Sequence, residues 1–537
     1  MTLLDAEYES NRQRQACQEI ARRLLLDQKG FESPEELKLV IARSYRLPAV
    51  PRNSDILAAV SADEKRTLRQ KLQLKRVRSV SGVHVIGVMS APQQCPHGRC
   101  AYCPQEADAP TSYTGYEPAA MRAKQNNFDP CAQISSRLSQ LRAIGHRPSK
   151  VELVVQGGTF LARPAAYQEH FIRRCLDALN GSESISLDEA KTKAYSSSVR
   201  NVGLTFETRP DWAQAEHVDL MLSYGATRVE IGVQTLDDNV LQLVERGHAV
   251  QDVIMSFQIV RDAGLKIVAH MMPGLPGSTP ERDLKEFKRL ISDPDFRPDM
   301  LKIYPCLVVQ GTKAYDWWRE GAYTPLDVER AADLIANVKE FIPPWMRIMR
   351  VQREIPARLI LAGPNKGNLR ERALMLLRER GGHCRCIRCR EVGHRRAKDN
   401  VEPDPENIRL IKTYYESSGG TEIFLSREDP TTDTLIAYLR LRIPSQSAHR
   451  IEIGSDRSSI VRELHVYGPA VPIGERDETS WQHKGHGVSL LREAERLSAE
   501  EYDVRKILVL SALGTKEYYS HLGYAQDGPY MSKRLIE

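Results

Sequence analysis

Long apolar runs are missing from this sequence. None approaches the roughly 18 residues that a helix needs to cross a bilayer, which excludes a helical membrane span. A secretory leader is missing too: the chain starts with Glu7, Glu9, Arg12 and Arg14 and shows no apolar stretch behind a basic one. The third absence is a disulfide framework. Of ten cysteines, six sit in two tight clusters and Cys17, Cys131, Cys175 and Cys306 are scattered, which suits metal binding in a reducing compartment. A cytoplasmic protein is expected. With 41% apolar and 27% charged residues over 537 positions the chain is neither fibrous nor disordered, and its length fits two to four domains.

Two smaller gaps are more informative. The first is a stretch without acid: Lys65, Arg66, Arg69, Lys71, Lys75, Arg76 and Arg78 follow one another with no Asp or Glu between them. A charge run is most often a solvated helix face, but one lacking acidic partners points to a phosphate-rich ligand. The residues before it read as helical, with Ile20, Leu24 and Leu25 on one face and Leu37, Val40 and Ile41 on another. The second gap is a fourth cysteine in the loop Cys95-Pro96-His97-Gly98-Arg99-Cys100-Ala101-Tyr102-Cys103. Three thiols are one short of the four that usually hold a four-iron cluster, so one iron would stay open to a ligand. A zinc knuckle short of one ligand is the competing reading.

From 81 to 345 apolar β-type runs alternate with helical stretches. The strands read as Val83–Val88, Val151–Val155, Val202–Phe206, Arg228–Val233, Leu265–His270 and Leu301–Tyr304, the helices as Ala166–Leu179, Val253–Ala263 and Asp283–Leu290. This pattern predicts parallel βαβ units whose functional residues gather at the carboxyl ends of the strands. Gly157-Gly158-Thr159, Glu207-Thr208-Arg209 and Gln234 fall at such ends. Residues 346–405 form an Arg-, Pro- and Gly-rich linker in which Cys384, Cys386 and Cys389, with His383 or His394, offer the ligands of a structural zinc site. From 406 to 537 the rhythm shortens, with strands Glu422–Leu425, Leu435–Arg442, Ile460–Val466 and Ile507–Leu510. Between the last two, Gln482-His483-Lys484-Gly485-His486-Gly487 opens the helical stretch Val488–Ala499. A glycine turn leading into a helix cradles pyrophosphate, because unpaired amides and the helix dipole face the anion.

The cysteine loop, with the glycine pair behind the second strand, resembles the cluster loop of radical S-adenosylmethionine (SAM) enzymes, although four residues instead of the usual three lie between the first two cysteines. Q-x-x-G-x-G resembles the acetyl-CoA loop of GNAT acetyltransferases. The combination, with Ser112–Pro118, Val229–Gln234 and Ile460–Gly468, resembles the family of Elongator catalytic subunits, acetyltransferases that modify the tRNA wobble uridine; its single-chain prokaryotic members act without the six-protein complex. The resemblance implies an α/β fold, a partial (β/α)6 radical SAM barrel followed by a GNAT-type acetyltransferase domain. The expected organisation is a helical basic tRNA-binding region at 1–80, the barrel at 81–345, the zinc-bearing linker at 346–405 and the GNAT domain at 406–537.

It further implies that Cys95, Cys100 and Cys103 hold a 4Fe–4S cluster and that Gly157, Gly158 and Thr159 hold SAM, with Glu207, Arg209 and Gln234 as weaker candidates. Lys150, Glu463, Leu464, His465, Val466, Gln482, Gly485, His486, Gly487, Val488 and Tyr519 would contact acetyl-CoA, Lys150 and Tyr519 as catalytic groups. If Lys150 reaches that cofactor, the two domains must pack face to face. A SAM-derived radical would activate the acetyl methyl for addition to C5 of the uridine, and thioester hydrolysis would leave a carboxymethyl group. The partners implied are the anticodon stem-loop of tRNA and an electron donor; a homodimer is compatible with the sequence. The rival reading is a protein lysine acetyltransferase with a structural barrel.

Overall fold

The computed structural model describes residues 3–26, 34–72, 81–454, 456–468, 481–482 and 484–535. They fall into two compact units, residues 1–79 with 135–148, and residues 80–134 with 149–537. In the first unit, helices Leu3–Leu26, Pro34–Ser44, Asn53–Ala58 and Ala62–Leu72 close around Ile20, Leu24, Leu37, Ile41, Ile56 and Leu68. Leu37 and Ile41 share one helical face, four residues apart, whereas Val40, expected beside them, is exposed. The basic run begins on the helix Ala62–Leu72, where Lys71 Nζ donates to Leu24 O at 2.7 Å. Lys75, Arg76 and Arg78, and the side chains of Arg66 and Arg69, lie outside the described residues.

The second unit holds two seven-stranded sheets. In the first, β1 His84–Met89, β2 Lys150–Gln156, β3 Arg200–Thr208, β4 Arg228–Gln234, β5 Lys266–Met271, β6 Met300–Ile303 and β7 Arg347–Arg350 lie in sequence order. All neighbours are parallel. β1 and β7 do not pair, so the sheet is an open half-barrel. Its seventh strand lies in the stretch that the sequence reads as linker; Arg347-Ile348-Met349-Arg350 is too short and too basic to announce a buried strand.

The second sheet comprises β8 Arg409–Ser417, β9 Gly420–Asp429, β10 Thr434–Ile443, β11 Ser458–Val466, β12 Lys506–Val509, β13 Ala525–Asp527 and β14 Tyr530–Arg534. Its order is β13-β14-β12-β11-β10-β9-β8, and only β11 and β12 run parallel. The amphipathic helix His486–Tyr502 lays Leu490, Leu491, Ala494 and Leu497 on Ile423, Leu439, Val461 and Ile507. β11 and β12 pair only up to Val461 and Val509, while β11 runs on to Val466 along β10. The sheet therefore splits beyond Val461.

The starts of β5 and β6 meet the second sheet through buried ions. Arg462 donates to Asp299 at 2.5 and 2.9 Å and to Glu422 at 2.8 and 3.2 Å. Arg442 bridges Asp262 at 2.5 Å and Glu422 at 3.1 Å, and Arg440 pairs with Glu463 at 2.9 Å. The side chains of Arg440, Arg442, Arg462, Asp299 and Glu422 are at most 1% exposed. Burial alone would raise the Asp299 carboxyl, but Arg462, Arg261 and Arg440 hold it far below the usual carboxylate range. Removing one partner of such a set strands the opposite charge. Arg462→Met is expected to destabilise the protein by about 3–5 kcal/mol; equilibrium urea unfolding checks this, and a change within error would show that the network is not stabilising.

Candidate functional site

The cysteine loop follows β1 at the carboxyl mouth of the half-barrel. A cavity of about 160 Å³ opens there, walled by Cys95, Cys100, Gly158, Thr159, Glu207 and Arg246 among others. Each thiol has a distinct environment. Cys100 Sγ lies 3.2 Å from His97 Nε2 and 3.7 Å from Arg246 Nη1, and Cys103 Sγ lies 3.1 Å from Ser112 Oγ. Burial pushes the Cys103 thiol up to about 11 and also raises Cys95. These sulfurs are not among the donor groups that converge within 4.8 Å, the arrangement expected around a single ion.

The glycine pair lies against the same loop. Gly157 and Gly158 have φ of +120° and +80°. A Cβ on Gly157 would stand 2.5 Å from Ser90 Oγ, and one on Gly158 3.7 Å from Cys95 Sγ. Glycine here permits both the turn and the close approach. Gln234 adopts φ +73° at the end of β4, a strained conformation for a side-chain-bearing residue. Arg209 is held by a two-pronged pairing with Asp211 at 2.9 and 3.0 Å and by the carbonyls of Arg246 and Gly247.

Around Glu207, the floor of the cavity carries residues that the sequence reading did not single out, Glu230, His270 and Lys302. Glu207, Glu230 and His270 bring donor atoms within 4.8 Å of one another. The Lys302 ammonium contacts Glu230 and lies 3.8 Å from Glu207, so a lysine already supplies the positive charge at this floor. His270 Nε2 pairs with Glu230 at 2.9 Å, and Tyr113 Oη donates to Glu207 at 2.8 Å. The signal was present in the sequence: Arg228 and Glu230 on β4, Lys266 and His270 on β5, and Lys302 on β6 occupy strand positions where Val, Ile or Leu is usual.

The glycine loop lies at the opposite, amino-terminal end of the half-barrel strands. Gly485, φ +83°, caps the helix His486–Tyr502 and leaves its first amides free of helical partners. Gln482 Nε2 donates to Val466 O at 3.2 Å, on the strand that diverges from β12. Lys150, the first residue of β2, donates to Gln482 Oε1 at 3.1 Å, so the half-barrel and the second sheet do meet face to face here. His465 Nε2 lies 3.0 Å from Ser81 O, and Glu463 is engaged by Arg440. Leu464, Val466, Val488 and His486 are half-buried around the loop. Tyr519 packs in the core of the second sheet, where burial pushes its hydroxyl above the usual tyrosine range. The Tyr518 hydroxyl, one residue earlier, is the group that faces Gly487.

In the linker, the sulfurs of Cys384, Cys386 and Cys389 converge within 4.8 Å. Neither candidate histidine completes the set: His383 is exposed, and His394 Nε2 pairs with Glu391 at 3.1 Å. Lys339 Nζ approaches instead, 3.2 Å from Cys384 Sγ and 3.8 Å from Cys389 Sγ.

A parallel half-barrel with three cysteines and a glycine pair at its carboxyl mouth, joined to a mixed sheet with a glycine-capped helix, is an enzyme of radical SAM type with a second domain. The Radical SAM superfamily matches residues 89–291, the Radical_SAM C-terminal domain 298–378 and the ELP3 N-terminal domain 13–80. The chain is 48% identical to the tRNA uridine(34) acetyltransferase of Methanocaldococcus infernus, over 95% of this chain and 96% of that one. It is 44% identical to Elongator complex protein 3 of Homo sapiens, over 93% of each. The solved structure of archaeal Methanocaldococcus infernus Elp3 with residues 1–46 deleted superposes with a TM-score of 0.76 at 45% identity, covering 85% of this chain and all of that one. The chain belongs to the family of tRNA uridine(34) acetyltransferases and Elongator complex protein 3.

Burial lowers Lys150 to about 8, so its ammonium is present below that pH and lost above it. The desolvated charge opposes folding below about pH 8, and that cost fades as pH rises toward the ordinary lysine value. If Lys150 contacts CoA as the sequence resemblance implies, CoA affinity measured by calorimetry falls as pH rises through about 8. In Lys150→Arg this limb disappears, since arginine stays charged.

Proposed function

We propose that this protein uses acetyl-CoA and SAM radical chemistry to build a 5-carboxymethyl group on the wobble uridine of tRNA. The observation that carries the reading is the Lys150–Gln482 contact, which joins a radical SAM half-barrel to an acyl-CoA-type glycine loop in one chain. The residues at the carboxyl mouth fit a cluster and SAM. Cys100 lies beside the Arg246 guanidinium and Cys103 beside the Ser112 hydroxyl, and the missing side chain at Gly158 keeps its backbone close to Cys95. Cys95, Cys100 and Cys103 would hold the cluster, and Gly157, Gly158 and Thr159 the methionine part of SAM. When bound, the pair supplies the one-electron chemistry that activates an unreactive methyl C–H bond.

The chain's own residues do the rest. The amides at Gly485–Val488 and the start of the helix cradle the CoA pyrophosphate. The split between β11 and β12 leaves the backbone of Glu463–Val466 open to the pantetheine arm, which would displace Gln482 Nε2 from Val466 O. Lys150 brings positive charge to the same mouth. Tyr519 is the candidate proton donor to the departing thiolate, with Tyr518 as the nearer hydroxyl to the loop. The anticodon stem-loop would be held by electrostatics first, with Lys65, Arg66, Arg69, Lys71, Lys75, Arg76 and Arg78 as candidate contacts, and its unstacked base read second. Cys384, Cys386 and Cys389 would hold a structural zinc whose thiolate charge Lys339 offsets.

Acetyl-CoA hydrolysis by the purified protein is expected to rise severalfold with tRNA carrying uridine at the wobble position and to stay basal with another base there. Stimulation by lysine peptides and indifference to tRNA would replace this reading with a protein acetyltransferase. For the linker, metal analysis is expected to find one zinc per chain, lost in a Cys384→Ser/Cys386→Ser/Cys389→Ser variant; unchanged zinc would remove that assignment.

A further inference from the structure

A cavity of about 680 Å³ lies beside the three-thiol site, between the helix Leu369–Glu379, the segment 382–399 and the turn joining β9 to β10. Seven cationic side chains and two carboxylates line it. The carboxylates are already taken: Asp433 pairs with Arg390 at 2.7 Å and lies 3.6 Å from Arg385, and Asp399 pairs with Arg395 at 2.7 Å. The side chains of Arg388, half-buried, and Arg378, exposed, have no hydrogen bond or ion pair among the described residues. Further donors on these walls are buried without an acceptor, namely Arg370 Nη1, Arg390 Nη1 and Arg395 Nε. Arg390 is itself 2% exposed. The cationic side chains that line the cavity outnumber its carboxylates by five, and the Arg378 and Arg388 guanidiniums have no protein partner among the described residues, so the cavity is suited to an anion.

The charge count selects the kind of anion. A single phosphate would leave most of the excess positive charge facing itself, whereas a chain of phosphates can meet the arginines one by one. Leu374, Leu377 and Pro430 add an apolar surface for a ribose or base face. The volume is also far larger than a metal ion between the cysteines requires. We propose that this cleft binds the sugar–phosphate backbone of the tRNA, away from the base being modified; this rests on the tRNA reading above. Such contacts position the RNA without reading its sequence. The three cysteines lie on the segment that carries Arg385, Arg388 and Arg390, so a metal held there would also fix the arginines in place.

The test is tRNA binding by the full-length protein at several salt concentrations, comparing wild type with an Arg378→Ala/Arg388→Gln variant. The dissociation constant is expected to rise about tenfold at low salt, and the slope of log affinity against log salt to shrink by about 1.5 to 2, because two phosphates lose their cationic partners. Affinity for CoA and the melting temperature are expected to stay at wild-type values. If that variant is not folded, Arg385→Ala/Lys398→Ala, which alters two exposed residues, carries the same test. Wild-type tRNA affinity and slope in a folded variant would overturn the cleft while leaving the proposed function standing. Loss of CoA or AMP binding with tRNA binding intact would assign the cleft to a small nucleotide and overturn it as well. Failure of the wild type itself to bind tRNA would remove the underlying reading and this site together.

Discussion

Four guanidinium groups and four carboxylates are sealed between the half-barrel and the second sheet, and the geometry of the molecule depends on them. Arg261, Asp262 and Asp299 come from the half-barrel, Glu422, Arg440, Arg442, Arg462 and Glu463 from the second sheet. Apolar residues of similar volume could hold two surfaces together as strongly, but they would tolerate sliding. Paired forks do not: Arg462 meets Asp299 with two donors and Glu422 with two more, so a shift of one residue would strand several charges in the interior. The stacked pair Trp345–Tyr415, at 4.1 Å between ring centres, and the bond from Tyr530 Oη to Ala263 O fix the same seam from either side. A rigid seam is what lets Lys150, on the first sheet, sit at hydrogen-bond distance from Gln482, on a loop of the second.

The seam also sets the two candidate sites apart. The cysteine loop and glycine pair occupy the carboxyl mouth of the half-barrel, whereas Lys150 and Gln482 meet at the amino-terminal end of its strands. Between the mouths the interior is ionic. A closed barrel of this class normally fills its centre with layers of Val, Ile and Leu; here Glu152 meets Arg228 and Glu230 meets Lys302. Burial would raise the Glu230 carboxyl, yet Lys302, His270 and Arg228 hold it well below the usual range. The interior is thus held by charge pairs whose partners are specified one by one, and it offers the cavity above a polar floor.

Much of this was legible in the sequence, for identifiable reasons. β2 and β5 carry the short apolar runs Leu153–Val155 and Ile267–Ala269, and β4 alternates Val229, Ile231 and Val233 with other residues, so their positions follow directly. Cys95, Cys100 and Cys103, with Gly157 and Gly158, lie at strand ends, where a parallel sheet gathers its loops. Other elements left no comparable trace. β7 is four residues with arginine at both ends, β13 has three residues, and β8 alternates weakly because most of it is only partly covered. The inward charges of β4 to β6 were visible as alternation of the wrong polarity, a pattern that makes sense only once partners from neighbouring strands are known. The exposure of His383 and the pairing of His394 with Glu391 depend on the path of a linker, which residue spacing does not encode.

That linker answers a problem the half-barrel creates. An open parallel sheet leaves β1 and β7 with unpaired edges, and exposed edges invite association with other chains. Here Glu391, fully buried, accepts from Ser81 Oγ just before β1 at 2.7 Å and from Arg347 Nη1 on β7 at 2.5 Å, while pairing with His394 at 3.1 Å. One carboxylate thereby ties both edges to the segment that follows the cysteines. Ile387 N donates to Met346 O at 2.9 Å, and Lys339, on the helix before β7, reaches Cys384 and Cys389. The cysteine cluster therefore sits where the half-barrel is least complete, and a metal there would clamp the linker to the strand and helix that end the sheet. Its position favours a structural task over a catalytic one: it closes the fold that holds the two mouths in register, and it touches neither.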